Sequence, residues 1–360
     1  MSNFVNPKQV EKYIKKYDMQ YFILLGMRSN GKSCAVRNYA LKRAYYFGEM
    51  FFYLRRYSLD MRKFMIESYF ESVTGFDVSE ITNGDFTKIK VKENKIFVCN
   101  ETIKNGKKVI DWGQQVGYCG SLSDSEHLKS LNFPNCNKII FEEFVTDKVY
   151  MTNETNLLFN LVSTVFRNNA GVVFLIGNTI SEINPYFREF ELTKIESQKA
   201  NSIDIYENDN TKIAVWLTAP IDTSNLASNK MSFGEKARMI KNGDWDRSKK
   251  RHLERDYKEY NVLYTMVFVF NNKSFLMELL EYKDKHIWYI SRKTSEVQKD
   301  TRLISDSFVE SDICTIGFIP LNQNENRAFN LLKQGKIAYS DNLTGTQFIQ
   351  CYEQMEKGIR

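Results

Sequence analysis

The apolar positions of the chain come in short continuous runs, and these runs alternate with segments whose apolar residues fall at helical spacing. YFILLG (residues 21–26), MFFYLRRY (50–57), KIIF (138–141) and GVVFLIGN (171–178) have strand length and few polar interruptions. Strands buried on both faces read this way. Between them, KSCAVRNYALKRAYYFG (32–48) places Val36, Tyr39, Ala40, Ala44 and Phe47 at helical spacing, with Gly48 as the stop. LDMRKFMIESYFESV (59–73) predicts a second helix, and ETNLLFNLVSTVFR (154–167) an amphipathic one with Leu157, Leu158, Leu161, Val162, Val165 and Phe166 on one face. Ahead of them all, Asn6 and Pro7 form an N-cap and a first-turn proline, opening a helix to about Tyr17. Buried strands alternating with helices predict an α/β fold with a mostly parallel sheet covered on both faces.

The pattern then changes. From about residue 86 to 122 it becomes strands and turns, with Asn105-Gly106 as a hairpin signal. A short polar helix is expected over 124–131. After about residue 205 a polar, charged stretch (TSNLASNK…RDYKEY, 223–260) reads as a linker or small helical subdomain. Strand-like runs follow at 261–270, 273–282 and 285–291, and helical runs near 324–334 and 343–357 close the chain. The expected domains are therefore 1–205, 206–254 and 255–360, the last α+β or α/β.

Composition narrows the class. A chain of 360 residues suggests about two domains, and 42% hydrophobic with 14% aromatic residues is enough for real cores. No run approaches the roughly 18 apolar residues of a membrane span, so no membrane partner is expected. The opening MSNFVNPKQVEKY lacks the apolar core of a signal peptide. Six scattered cysteines without CxxC and only three histidines exclude an ordinary zinc cluster by spacing and favour reduced thiols. A net charge of +6 permits a nucleic-acid partner without requiring one.

The chemistry is concentrated in GMRSNGKS (26–33). It satisfies G-x-x-x-x-G-K-[S/T] directly after an apolar strand and directly before a helix. Gly26 and Gly31 let backbone N–H groups turn toward phosphate oxygens without Cβ clashes. Lys32 reaches the β and γ phosphates, Ser33 offers a hydroxyl to Mg²⁺, and the helix aims its positive end at the anion. The expected nucleotide-binding set is Gly26, Met27, Arg28, Ser29, Asn30, Gly31, Lys32, Ser33 and Cys34, with ATP and Mg²⁺ as ligands.

A phosphate loop of this kind is served by carboxylates on a neighbouring strand. KIIFEE supplies Glu142 and Glu143 at the end of such a strand. The usual pair is Asp then Glu, the first on the metal side and the second polarising the attacking water. Glu142 thus stands in an Asp position with one extra methylene. The alternative for both is a solvated acidic strand end. A Ras-type GTPase is excluded: Asn94-Lys95 and Asn137-Lys138 lack the Asp of a base-reading Asn-Lys-x-Asp. Tandem glutamates favour water activation, hence ATP hydrolysis with the energy used mechanically. Arg55 and Arg56, at the phosphate-side end of their strand, face nucleotide or DNA, or else form salt bridges.

Together the loop GMRSNGKS, FFYLRRY, KIIFEEF, TVFRN (164–168) and GNTISEINPYF (177–187) resemble the DNA encapsidation ATPases of small tailed phages with protein-primed genomes, the packaging-motor proteins related to large terminases. The resemblance spans most of residues 20–190; the C-terminal half matches only in layout. It implies an ASCE/RecA-like P-loop NTPase domain, a helical linker and a smaller C-terminal domain with a vestigial RNase H-like fold. It implies that Arg167 is an arginine finger inserted into a neighbouring subunit, where a finger is worth about 10³ to 10⁵ in rate. A cation closing a helix is the rival reading. Lys129 is implied as a second basic residue at the subunit boundary, with a plain surface lysine as the rival, and Asn178 as the γ-phosphate sensor, with a strand-end turn residue as the rival. The implied partners are double-stranded DNA, a homo-oligomeric ring (a pentamer), a capsid portal and a structural packaging RNA, placing the protein at the procapsid portal vertex in the host cytoplasm. Glu278, Glu281 and Asp341 are too sparse to propose a nuclease metal site. The other function classes are a terminase- or helicase-like ATPase with its own nuclease, and a nucleotide-gated scaffold with poor turnover.

Overall fold

The computed structural model describes residues 4–146, 150–167, 169–179, 184–208, 211–220, 260–270, 273–282, 285–296, 301–306, 314–316 and 320–358. These fall into two compact units, one within Met1–Ile180 and Glu189–Asp244, the other within Ser181–Arg188 and Trp245–Arg360. Residues 221–254 of the expected linker, and residues 180–183 of GNTISEINPYF, lie outside the described residues.

The first unit opens with α1 (Pro7–Tyr17), β1 (Tyr21–Leu25), α2 (Lys32–Phe47) and β2 (Met50–Arg55). The cap on α1 is reciprocal: Asn6 Oδ1 accepts from Gln9 N at 3.1 Å and Gln9 Oε1 accepts from Asn6 N at 3.0 Å. Gly48 ends α2 in the left-handed region, with φ 70°. The helix expected over 59–73 is instead a 3₁₀ turn (Ser58–Met61) followed by α3 (Lys63–Tyr69). Arg62, with ψ 136°, leaves helical geometry between them. The turn is held locally: Ser58 N donates to Ser123 Oγ at 3.1 Å, and Asp60 lies 3.9 Å from Arg55.

After α4 (Val78–Ile81) come β3 (Lys88–Lys92), β4 (Lys95–Lys104) and β5 (Lys107–Ser121). Their turns are tight, Glu93-Asn94 and Asn105-Gly106, all with positive φ, as two-residue hairpins require. The polar helix expected over 124–131 shortens to α5 (Ser125–Leu128) after a 3₁₀ turn. Then follow β6 (Cys136–Glu142), α6 (Glu154–Phe166), β7 (Val172–Ile176), α7 (Pro185–Glu189, all but its last residue assigned to the second unit), β8 (Ser202–Asn208) and β9 (Thr211–Leu217). Residues 206–208 and 211–217, expected to open the helical linker, are therefore strand. The apolar run Ile213–Trp216 pairs in parallel with β1 and is buried there.

The nine-stranded sheet has the order β3-β4-β5-β2-β6-β7-β1-β9-β8. Its interior pairings, from β5 through β9, are all parallel, and both edges are antiparallel hairpins. This is the mixed α/β architecture with a largely parallel sheet that the periodicity predicted. Successive strand residues face opposite sides. Phe22, Leu24, Tyr53, Ile140, Phe174 and Trp216 pack with Val10 of α1 and Val36, Ala40 and Leu41 of α2. On the other face, α6 brings Phe159 to 6.3 Å from Tyr21. β7 lies between β1 and β6, so the strand that feeds the Gly loop and the strand that ends in Glu142 flank it.

The second unit carries β10 (Asn261–Phe270), β11 (Lys273–Tyr282), β12 (Lys285–Arg292), β13 (Arg302–Ser305), β14 (Cys314–Ile316), α8 (Gln323–Lys333), β15 (Ala338–Tyr339) and α9 (Asn342–Gly358). The sheet order is β14-β13-β10-β11-β12-β15, antiparallel from β10 to β12 and parallel at both flanks. Phe268, Phe275, Phe329 and Phe348 form its core. Three of its acids have local partners: Glu325 is buried against Arg302 at 3.2 Å, Asp341 caps Thr344 N at 2.7 Å, and Glu281 lies 3.5 Å from His286; Glu278 is buried on β11. Among the described residues no group of three or more His, Cys, Asp or Glu is arranged to hold a metal ion.

Candidate nucleotide site

The loop between β1 and α2 is shaped by contacts that require its glycines. Gly26 has φ 150°, and a Cβ there would stand 2.0 Å from Thr218 Oγ1; Gly31 has φ 91°, and a Cβ would stand 2.9 Å from Val5 O. The loop is thus braced from two sides. Val5 N donates to Asn30 O at 3.0 Å, and Asn30 Nδ2 donates to Thr218 Oγ1 at 2.5 Å. Thr218 follows β9, which sequence patterning did not resolve as part of this sheet. Ser29 also has positive φ, 63°. Successive left-handed and helical residues turn N–H groups to one side, as in an anion-binding nest.

Lys32 is buried within this loop. Its Nζ donates to Met27 O at 2.7 Å, Asn30 Oδ1 at 3.0 Å and Gly26 O at 3.2 Å. Burial brings its ammonium down to about 7, and the nearby Glu142 opposes that shift. The remaining loop members divide simply: Met27 is buried, Arg28 is exposed, and Cys34 accepts from Arg37 Nη2 at 3.3 Å.

Glu142 ends β6 beside the loop, and both of its oxygens are engaged. Oε2 accepts from Ser33 Oγ at 3.1 Å and Oε1 from Tyr69 OH at 2.5 Å. Burial raises its carboxyl, against the hydrogen bonds from Tyr69 and Ser33. Hydroxyl and carboxylate oxygens brought this close are the hard donors that suit Mg²⁺, so the residues fit the ion the sequence implies.

Glu143 sits on the turn just past the strand, with φ 57°. A non-glycine residue held there costs about 1–3 kcal/mol unless its surroundings enforce it, and such residues cluster at functional sites. The enforcement is visible. Arg56 Nη1 donates to Glu143 O at 3.0 Å and Nη2 to Phe144 O at 2.6 Å, while Arg56 Nε meets Glu154 Oε2 at 2.9 Å. Arg55 Nη2 donates to the Glu143 carboxylate at 2.7 Å. Of the readings open for Arg55 and Arg56, the ion pairs are present.

The other expected site residues stand apart. Lys129, just after α5, pairs with Glu126 at 2.7 Å on the surface. Arg167 follows α6 with φ 44°, and its Nη2 donates to Leu131 O at 2.7 Å. Asn178 lies between Gly177, whose N–H donates to Leu24 O at 3.0 Å, and Thr179, whose N–H donates to Gly26 O at 3.3 Å. The backbone of residues 177–179 is therefore stitched to the start of the Gly loop. Tyr69 and Thr218 were not singled out from the sequence. Tyr69 lies inside the helical run 59–73 and carries no motif.

A sequence profile described as podovirus DNA encapsidation protein (Gp16) matches residues 1–307. The DNA packaging protein of Bacillus phage phi29 is 30% identical over 207 residues, covering 56% of this chain and 54% of that protein. The DNA packaging protein of Bacillus phage B103 is 32% identical over 190 residues, covering 52% of each. The chain spans about half the length of these curated relatives. A chain from the bacteriophage Phi-29 viral genome packaging motor assembly shares the fold, with a TM-score of 0.62 at 21% identity over 98% of this chain and 100% of that one.

Proposed function

The chain belongs to the podovirus DNA encapsidation protein (Gp16) family, and from that membership we propose that it is an ATPase that drives double-stranded viral DNA into a procapsid. The observation that carries the chemistry is the meeting of Ser33 and Glu142 at 3.1 Å beside the buried Lys32. The loop after β1, the end of β6 and the start of α2 converge there.

In this reading the Gly loop and the start of α2 cradle the phosphates through backbone N–H groups. Lys32 exchanges its loop carbonyls for phosphate oxygens. Ser33 and Glu142 would hold Mg²⁺, which would supply charge neutralisation at the transferring phosphoryl group. Glu143 polarises the attacking water. Arg56 keeps the Glu143 turn in its left-handed form, and Arg55 competes for the Glu143 carboxylate. Asn178, adjacent to Thr179, whose N–H donates to Gly26 O, reports on the γ-phosphate.

Arg167 and Lys129 act in a neighbouring copy, which makes a homo-oligomeric ring at the portal vertex, a pentamer, the working form. Both lie outside the Lys32–Glu142 cluster, which supports a role across a subunit boundary. Lysines and arginines lining the ring hold the duplex by its phosphates without reading sequence, and a structural RNA is a further partner. The second unit is taken as a vestigial nuclease-like domain, which its layout supports: antiparallel strands β10–β12 extended by parallel β13 and β14, with Asp341 used as a cap and Glu325 in an ion pair.

The test is ATP hydrolysis by the purified chain with and without duplex DNA, beside Lys32→Ala. The reading expects DNA-stimulated turnover that the variant lacks. Turnover surviving in Lys32→Ala rejects it. Tight ATP binding without turnover in either condition supports the scaffold reading, which the Glu142 substitution for Asp favours.

A further inference from the structure

We propose that Tyr69 is a positioning residue for the metal-side carboxylate, fixing Glu142 so that the longer side chain presents its second oxygen beside Ser33. The inference rests on the proposed nucleotide chemistry and deepens it.

A glutamate in place of an aspartate has one more rotatable bond between backbone and carboxylate. Left to itself it would place its oxygens less narrowly. Here both oxygens are fixed from different elements. Ser33 on α2 donates to Oε2 at 3.1 Å, and Tyr69 on α3 donates to Oε1 at 2.5 Å. A hydrogen bond to a carboxylate is short and about twice as strong as a neutral one. The partner of a ligand is therefore as much part of the site as the ligand.

Tyr69 is itself held in place. Its ring stacks on Tyr53 of β2, with centroids 4.6 Å apart and planes at 27°, and meets Phe70 edge-on at 4.9 Å. Arg37 Nη1 donates to Tyr69 O, and the Arg37 guanidinium lies 5.1 Å from the Tyr69 ring centroid. Arg37 is four residues after Ser33, on the same face of α2. One helix thus fixes both groups that bond the Glu142 carboxylate, and a shift of α2 moves Ser33 and Tyr69 together.

Tyr69→Phe removes the hydroxyl and keeps the ring contacts. The experiment compares the full chain with Tyr69→Phe, Glu142→Asp and the double variant. Mn²⁺ affinity is read by electron paramagnetic resonance in the presence of a non-hydrolysable ATP analogue, and analogue affinity is read separately in EDTA. Loss of an outer-shell partner costs about 10- to 100-fold in metal affinity. Tyr69→Phe should weaken Mn²⁺ by that factor while leaving the metal-free analogue affinity unchanged. In the Glu142→Asp background, where the shorter side chain needs no second tether, the same change should do much less.

Unchanged Mn²⁺ affinity in Tyr69→Phe overturns the proposal. So does an equal loss of analogue affinity in EDTA, which marks a merely structural side chain, and so does an undiminished effect in the Glu142→Asp background. A parent chain that binds no Mn²⁺ with the analogue overturns the nucleotide chemistry itself, a separate failure.

Discussion

Arg56 and Glu154 form a buried ion pair, Nε to Oε2 at 2.9 Å, directly behind the turn that carries Glu143. Glu154 opens α6, and its Oε2 also accepts from Met151 N at 2.9 Å. The pair thus joins the end of β2, the start of α6 and the backbone of residues 143 and 144. The left-handed Glu143 is thus held by a charge pair behind its turn.

Removing one partner of a buried pair strands the other charge and costs about 3–5 kcal/mol. Arg56→Met should lower stability by that amount in guanidinium unfolding followed by circular dichroism. Arg56→Met together with Glu154→Leu should recover much of the loss, since replacing both charges with apolar groups is often close to neutral. A single-variant loss below about 1 kcal/mol would mean the pair is as weak as a surface bridge.

The nucleotide should bring a proton with it. Burial holds Lys32 near 7 in the free chain, while an unfolded lysine titrates near 10.4. Between those values the unfolded state carries the extra proton, so the destabilisation from this group is full and flat below the window and is relieved as pH rises across it. Phosphate oxygens at Nζ favour the ammonium again. Binding of ATP at about pH 8.5 should therefore take up close to one proton, and binding at about pH 6 almost none. Calorimetry in buffers of different ionisation enthalpy reads this directly. Buffer-independent heats at the higher pH contradict the protonation change, and Lys32→Met should remove it.

The sheet interior was legible because its strands are buried on both faces and read as apolar runs. YFILLG, MFFYLRRY, KIIF and GVVFLIGN all became central strands, and the Gly loop fell where its glycines required. What periodicity missed has local causes. Residues 59–73 carry a helical pattern, but Arg62 breaks it because the preceding turn is tied to Ser123 and Arg55. β9 is an apolar run of five residues, Ile213–Leu217, that lies inside the stretch after residue 205 read as linker. Its identity comes from pairing with β1, some 190 residues earlier. Tyr69 and Thr218 carry no motif, because a hydroxyl that orients another side chain is defined by geometry alone.

Glu143→Gln separates binding from chemistry. The amide keeps the volume and an acceptor but loses the charge that polarises water, and general-base catalysis of this kind is worth about 10²- to 10⁴-fold. The variant should bind ATP as the parent does and turn it over slower by that factor. Its fold should persist, since the side chain is exposed and Arg56 holds the turn through backbone oxygens. Loss of ATP affinity as well would give Glu143 a structural or metal role.

Arg167 provides the test of the ring. It lies at the end of α6, bonded to Leu131 O and not to the loop, Glu142 or Glu143. If it completes a neighbour's site, hydrolysis should rise steeply with protein concentration, and Arg167→Ala should bind ATP without turning it over. A finger is worth about 10³- to 10⁵-fold, so the single variant should be nearly silent. Mixing is sharper. In a ring of Arg167→Ala and Glu143→Gln subunits, some sites combine an intact Glu143 with an intact Arg167 from next door. Two inactive proteins should then restore part of the activity. A cation that only closes its own helix permits no such rescue, because each subunit would lack one of its own two groups. Labelled protomers must report exchange by energy transfer. Verified exchange without restored turnover assigns Arg167 to the helix end and removes it from the neighbour's site.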